Sequence, residues 1–271
     1  MPHVKNQHIV PEFLLRNFSN IESYIWTFDK TAISKPWVNE KNRAIKSVPT
    51  ENCFYDKRKG IADQSLEYTL SDIENKAAPI INTLISSKDL NQLSLNDRTI
   101  IAEFLSFQML RTKGYLTFSE NFLNQFCTPI EEVTGQKIER NGRIFWLNSL
   151  ERAHEYKSYL LNKTWILAES SNSFYLSDNP LVLQNSTNNQ QHRGNLGLES
   201  LGIEIYMPLS SSLLLCLFCN KTVLNPQSNI VCESNHVENL NWLQIVNSDR
   251  FIFSNQNNFD LIYRMIEEKK L

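Results

Sequence analysis

Two glutamates, Glu67 and Glu74, stand seven residues apart in a stretch with helical periodicity. Seven residues are two helical turns, so both carboxylates leave one face, offset by about 20°. Their column continues to Ile81, at the flank of an apolar stripe, which predicts half-buried carboxylates. Such a pair can hold a divalent cation (Mg or Mn) or move protons. On a wet helix flank it would only make salt bridges. Gln108 falls in the middle of a second apolar face, defined by Ile101, Leu105 and Tyr115, with Thr112 beside it and Arg111 one step away. A buried amide left without a partner costs about 1–3 kcal/mol, so Gln108 has to meet a ligand or a protein group. Arg111 could grip a carboxylate or phosphate, or pair with Glu67 or Glu74 across two helices.

Two further candidates lie far away in the chain. His8 precedes a helix started by Pro11, with Arg16 in the same run. An imidazole there can serve as a general base, or simply sit at a helix start. Asp178, in Ser177-Asp178-Asn179-Pro180, follows a strand, where site carboxylates often lie. The same residue types also make tight turns by bonding their own backbone. Cys216, Cys219, Cys232 and His236 mimic a zinc-ligand count, but positions i and i+3 of a strand point to opposite faces, which argues against a zinc site. His154 and His192 read as exposed.

The elements that would carry these groups follow from periodicity. Apolar residues at Leu66, Leu70, Ile73, Ala77, Ile80 and Leu84 predict one helix over 66–85, with a kink or restart at Pro79. Ser94-Leu95-Asn96-Asp97 predicts the cap of a second long helix that runs on to Tyr115. Further helices are expected over 120–134, 149–161 and 236–246. Strands are expected at 24–28, 164–168, 174–176, 203–207, 213–218 and 251–253, the second and third joined by the turn at 170–173. Residues 35–60 read as a surface wrap and 185–199 as a loop rich in Asn and Gln. The expectation is α+β: a helical middle, about 65–161, packed with a mostly antiparallel β portion from the N-terminal segment and residues 164–255. No linker divides the chain, so 1–271 reads as a single domain.

Composition narrows the function classes. The chain has 271 residues, 41% of them hydrophobic, enough for a sizeable core and against a disordered chain. A net charge of −2 gives no global basic field for nucleic acid. With 7 glycines, no glycine-rich phosphate-binding fingerprint occurs. The first residues lack the apolar core of a signal peptide, and the apolar run 213–219 is too short to span a bilayer. These features, with five cysteines in mostly apolar surroundings, point to a cytoplasmic protein without a membrane role.

Several segments together resemble the bacterial family called domain of unknown function 4238. They are Gln7-His8-Ile9-Val10-Pro11 with Leu14 to Phe18, Phe54-Tyr55, Leu66-Glu67 with Ile73-Glu74, and Phe107-Gln108-Met109-Leu110-Arg111. Leu176 to Pro180, Met207 to Ser210 and Asn241-x-x-Gln244 complete the set, which covers about residues 5 to 255. The resemblance implies that His8, Arg16, Glu67, Glu74, Gln108, Arg111, Ser177 and Asp178 are the family's recurring polar positions. By association it points to microbial defence. The expected function is a hydrolase acting on a phosphodiester or nucleotide. His8, Glu67 and Asp178 would be catalytic. Arg16, Gln108, Arg111 and Ser177 would hold substrate, and Glu67, Glu74 and Asp178 a divalent metal. The rival expectation is a sensor module that binds a ligand, nucleic acid or protein partner without turnover. A third is a buried network that serves only the fold.

Overall fold

A computed structural model describes residues 5–20, 23–32, 40–58, 65–187, 194–223 and 227–271. His192 and parts of the expected 35–60 wrap and 185–199 loop lie outside them. In chain order the elements begin with β1 (Asn6–Gln7), α1 (Glu12–Arg16), β2 (Tyr24–Asp29), β3 (Glu40–Ala44) and β4 (Glu51–Asn52). The helical middle holds α2 (Glu67–Ser87), α3 (Leu95–Leu110), α4 (Lys113–Thr134), α5 (Gly142–Glu151) and α6 (Lys157–Leu161). There follow β5 (Lys163–Glu169), β6 (Leu176–Ser177), β7 (Val182–Gln184), β8 (Glu204–Ser210), β9 (Leu213–Cys219) and β10 (Asn229–Val231). The last elements are α7 (Ser234–Asn247), β11 (Phe251–Ser254) and α8 (Asp260–Glu267). The fold is α+β, with the helical middle and the mostly antiparallel β portion where the sequence placed them.

The strands form three sheets. β1 pairs with β4; a five-stranded sheet runs β10-β5-β9-β8-β7; a four-stranded sheet runs β3-β2-β11-β6. Neighbours are antiparallel except β10 and β5. The four-stranded sheet joins strands from both ends of the chain, Phe28 opposite Ile252 and Ile252 opposite Ser177. Residues 164–168 and 174–176 therefore do not form a hairpin, because β5 and β6 belong to different sheets. β8 and β9 do, with a register shift between Pro208 and Ser210 where proline has no N–H for the ladder.

The expected 149–161 helix is split between α5, which ends at Glu151, and α6, which begins at Lys157; a second helix differs from its expected form and one boundary moves. α2 runs unbroken through Pro79. The carbonyl orphaned by proline belongs to exposed Asn75, where water can satisfy it. The second long helix stops at Leu110 instead of reaching Tyr115. Thr112 ends that run by capping the next helix, its Oγ1 accepting from the Tyr115 N–H, so Tyr115 belongs to α4. Ser94 and Asp97 form the expected capping box at the start of α3. The main core lies between the α2–α3 pair, α1 and the five-stranded sheet. A smaller one, Phe28, Tyr175, Ile252, Phe259 and Ile262, fills the space between the four-stranded sheet and α8.

Candidate functional site

The N-terminal strand is anchored by a residue the sequence reading passed over. Gln7 is fully buried, and its amide reads three groups. Nε2 donates to Asp56 (3.1 Å) and to Ser65 Oγ (3.3 Å), while Oε1 accepts from the Tyr55 N–H (2.7 Å). This fixes the chain direction as it leaves β1 and delivers the His8 carbonyl to Arg111.

Arg111, at the C-terminal end of α3, is the hub. Its Nη2 donates to the His8 carbonyl (2.6 Å), its Nε to the Tyr55 hydroxyl (3.2 Å), and its Nη1 to Glu74 of α2. The Tyr55 hydroxyl has one proton for two carbonyls, those of His8 and Arg111, each 3.2 Å away. The guanidinium also lies over the Tyr55 ring, 5.2 Å from its centre. Burial disfavours the charge on Arg111, but Tyr55 and Glu74 outweigh it and raise its pKa. Burial pushes the Tyr55 phenol up to about 12, so it stays a neutral donor. The cross-helix pairing of Arg111 with Glu74, one of the two partners weighed from the sequence, is thus realised. Three of the five guanidinium N–H groups are used, which leaves two.

Glu67, at the first position of α2, faces the same cluster. Burial, assisted by Glu74 and Asp56 and opposed by Arg111, pushes its carboxyl up to about 7. Its Oε2 is buried and has no hydrogen-bond partner among the described residues. Gln108, one turn before Arg111 on α3, is fully buried, and neither end of its amide finds a partner among the described residues. The sequence demanded a partner for this amide, and the described residues do not supply one.

The other candidates are held elsewhere. Both Asp178 oxygens are taken by backbone: Oδ1 by the N–H of Asp249 (2.9 Å), Oδ2 by those of Arg250 and Phe251 (2.8 Å each). Burial raises its pKa, and these three bonds work against the rise. Ser177 gives its N–H and hydroxyl to Gln244 Oε1 (3.1 and 2.7 Å), while Gln244 Nε2 donates to the Pro180 carbonyl (2.8 Å). Three residues earlier on α7, Asn241 accepts from the Tyr175 N–H (2.7 Å) and donates to the Ser173 carbonyl (2.9 Å). The Asn241-x-x-Gln244 spacing is thus a clamp that holds the 173–180 strand segment against one face of α7. Arg16 is exposed and pairs with Glu12 one turn back on α1 (2.5 Å).

A small cleft does bring His8 and Asp178 together. Glu51, Lys113 and Arg250 share its wall with Phe251 and Phe253, and its volume is about 20 Å³, room for about one water. Burial lowers the His8 pKa, opposed by Glu12 and Glu74 and assisted by Arg111, so the imidazole is mostly neutral at pH 7. His8 therefore stands between two groups: the Arg111 cluster meets its carbonyl, and the cleft meets the residue from the other side. Lys113 and Arg250 were missed from the sequence because each becomes a site residue only through contacts from remote segments. The three carboxylates Glu67, Glu74 and Asp178 do not gather as one ligand set. Among the described residues no group of three or more His, Cys, Asp or Glu is placed to share a cation. His154 is exposed, and Cys216 and Cys219 are buried in β9 as free thiols.

The whole arrangement lies within the span of a match to one protein family. DUF4238, described as a protein of unknown function, matches residues 6–258. The chain belongs to the DUF4238 family. The match runs from β1 to the loop after β11 and so takes in the Arg111 cluster, the Asp178 clamp and the cleft. No curated protein and no solved structure matches the chain. Among the described residues no helix is long and apolar enough to cross a membrane.

Proposed function

We propose that the protein is a hydrolase of a phosphodiester or nucleotide bond, with Glu67 as its proton-transferring group. The observation that supports this is two buried groups without a hydrogen-bond partner among the described residues, Glu67 Oε2 and the Gln108 amide. A carboxyl poised near neutrality can both give and take a proton at pH 7, which is what acid–base catalysis requires. Arg111 keeps two N–H groups for an anionic oxygen, and the Gln108 amide has donors and an acceptor to spare. Lys113 and Arg250 line the neighbouring cleft, where they pair with Glu51 and Asp29, so an anionic substrate would have to compete with those carboxylates for them. A cleft with room for one water requires its walls to part before a nucleotide enters. Asp178 is a positioning residue in this scheme, since its oxygens are engaged with the backbone.

The test is turnover of bis(p-nitrophenyl) phosphate, nucleotides and single- and double-stranded nucleic acid, with and without added Mg or Mn ions. Turnover by the wild type, lost in Glu67→Gln with an intact circular dichroism spectrum, supports the reading. No turnover on any of these, or full turnover in Glu67→Gln, overturns it. The engagement of Glu74, Ser177 and Asp178 within the chain favours a second reading, a ligand sensor without turnover. It is supported if a nucleotide raises the thermal midpoint and no product forms.

A further inference from the structure

Helix α4 presents an apolar face that the fold leaves uncovered. It has 22 residues and a length of about 33 Å. At about 100° per residue, Phe118, Phe122, Phe126, Pro129 and Val133 fall within an arc of about 80°. That arc contains no charged residue. It points outward: Phe118 is 56% exposed, Phe122 45%, Phe126 63% and Val133 88%. The inward side is served by Leu116, Ser119 and Cys127. The apolar sector of α4 is thus about twice as wide as the sector its neighbours cover. An ordinary surface helix carries one apolar stripe, turned to the core.

The exposed rings are ordered. Phe118 and Phe122 stack 6.2 Å apart at 26°, Phe122 and Phe126 6.2 Å apart at 15°. Phe145 of α5 joins the ladder, 5.9 Å from Phe122 at 20°.

We propose that α4 is a self-association face, on which a second copy of the chain packs antiparallel about a twofold axis near Phe126. The area supports this. With a free aromatic side chain offering roughly 150–250 Å², the exposed fractions amount to about 500 Å² per copy. The pair buries about 1,000 Å², the lower bound for a specific interface. The geometry supports it too, because the stripe is symmetric about its midpoint. An antiparallel copy sets Phe118 against Val133, and Phe126 beside its own symmetry mate, as a twofold interface demands. The antiparallel arrangement also opposes the two helix dipoles. A membrane surface fits less well. Helices that lie in a bilayer interface carry Lys and Arg on the polar face, whereas α4 carries Glu120, Glu131 and Glu132 against a single lysine at its first position.

The experiment is sedimentation velocity and light scattering of the full chain across the micromolar range, for wild type and for the double variant Phe122→Glu/Phe126→Glu. The wild type is expected to be a dimer. The double variant should dissociate about a hundredfold more readily, about tenfold per aromatic anchor lost. Its circular dichroism spectrum should be unchanged, since both rings are exposed in the isolated chain. Under mild oxidation Phe126→Cys should form a disulfide between copies and Phe118→Cys should not. A wild-type monomer across the range, a double variant that still dimerises, or a monomer that co-sediments with anionic vesicles overturns the proposal.

Discussion

Replacing Glu67 by glutamine should alter the pH dependence of stability in a way that its neighbours cannot mimic. The carboxyl ionises at 4.5 when free and at about 7 in the fold. Between those values the native state binds more protons than the unfolded state, so stability falls as pH rises through the window. Below 4.5 both states are protonated and the contribution vanishes. Above 7 both are ionised and the full penalty is present. At 1.36 kcal/mol per pKa unit the gap corresponds to about 3 kcal/mol, an upper bound because the carboxyl is partly solvated. Glutamine has the same shape and no charge to bury. The variant should match the wild type near pH 4.5 and exceed it by up to about 3 kcal/mol at pH 8. In a chain of this size that is a rise of several degrees in the melting midpoint. Urea denaturation of both proteins at a series of pH values from acid to mildly alkaline measures it, since the other titrating groups cancel in the difference. Parallel profiles for the two proteins, or a gap that widens toward acid, would refute a Glu67 carboxyl raised by burial.

Gln108→Met keeps the volume and removes both orphan atoms, so it should stabilise the fold by about 1–3 kcal/mol in urea denaturation; a loss would mean that the amide has a partner, such as a bound water. Arg111→Met strands Glu74 and the His8 carbonyl and should cost about 3–5 kcal/mol, as broken buried ion pairs do; a cost under about 1 kcal/mol would show that the hub is dispensable. Asp178→Asn retains one acceptor oxygen for three backbone donors and should cost about 1–3 kcal/mol. Amide hydrogen exchange should then quicken at Asp249, Arg250 and Phe251, and unchanged exchange at all three would remove Asp178 from the clamp.

How much of this was legible depended on whether the signal was local. The α2 stripe was legible because its residues repeat every three or four positions and face one core. The half-burial of Glu67 and Glu74 followed from the same geometry, and the burial of Gln108 from its place in the α3 stripe. The break at Arg111–Thr112 was hidden because apolar spacing continues through it, and the threonine that caps α4 looks like another residue of the same face. The partners of β6 were hidden for a different reason. Leu176 and Ser177 pair with residues some 75 positions away, and nothing between them states that register. Asp178 looked like a site carboxylate because it follows a strand, yet it closes three N–H groups from a distant turn. A sequence shows that a residue is polar and buried. It does not show whether a remote segment already satisfies it.

That distinction sorts the candidate polar residues by what remains unbonded. Arg16, Glu74, Ser177 and Asp178 are each accounted for by a named partner within the chain, so their presence calls for no ligand. Glu67 Oε2 and Gln108 have no such partner among the described residues, and both sit at free-energy cost: the glutamate through its raised ionisation, the glutamine through two idle hydrogen-bonding atoms. Any molecule that bonds these groups recovers part of that cost, and the recovered part appears as affinity. An anionic oxygen on the two free Arg111 donors would draw the neighbouring Glu67 toward its protonated form, through like-charge repulsion. Occupancy should therefore raise the Glu67 pKa further and take up a proton between pH 7 and 8. Proton uptake that accompanies nucleotide binding in wild type and is absent in Glu67→Gln would tie the ligand to this cluster, whereas equal uptake in both would place it elsewhere.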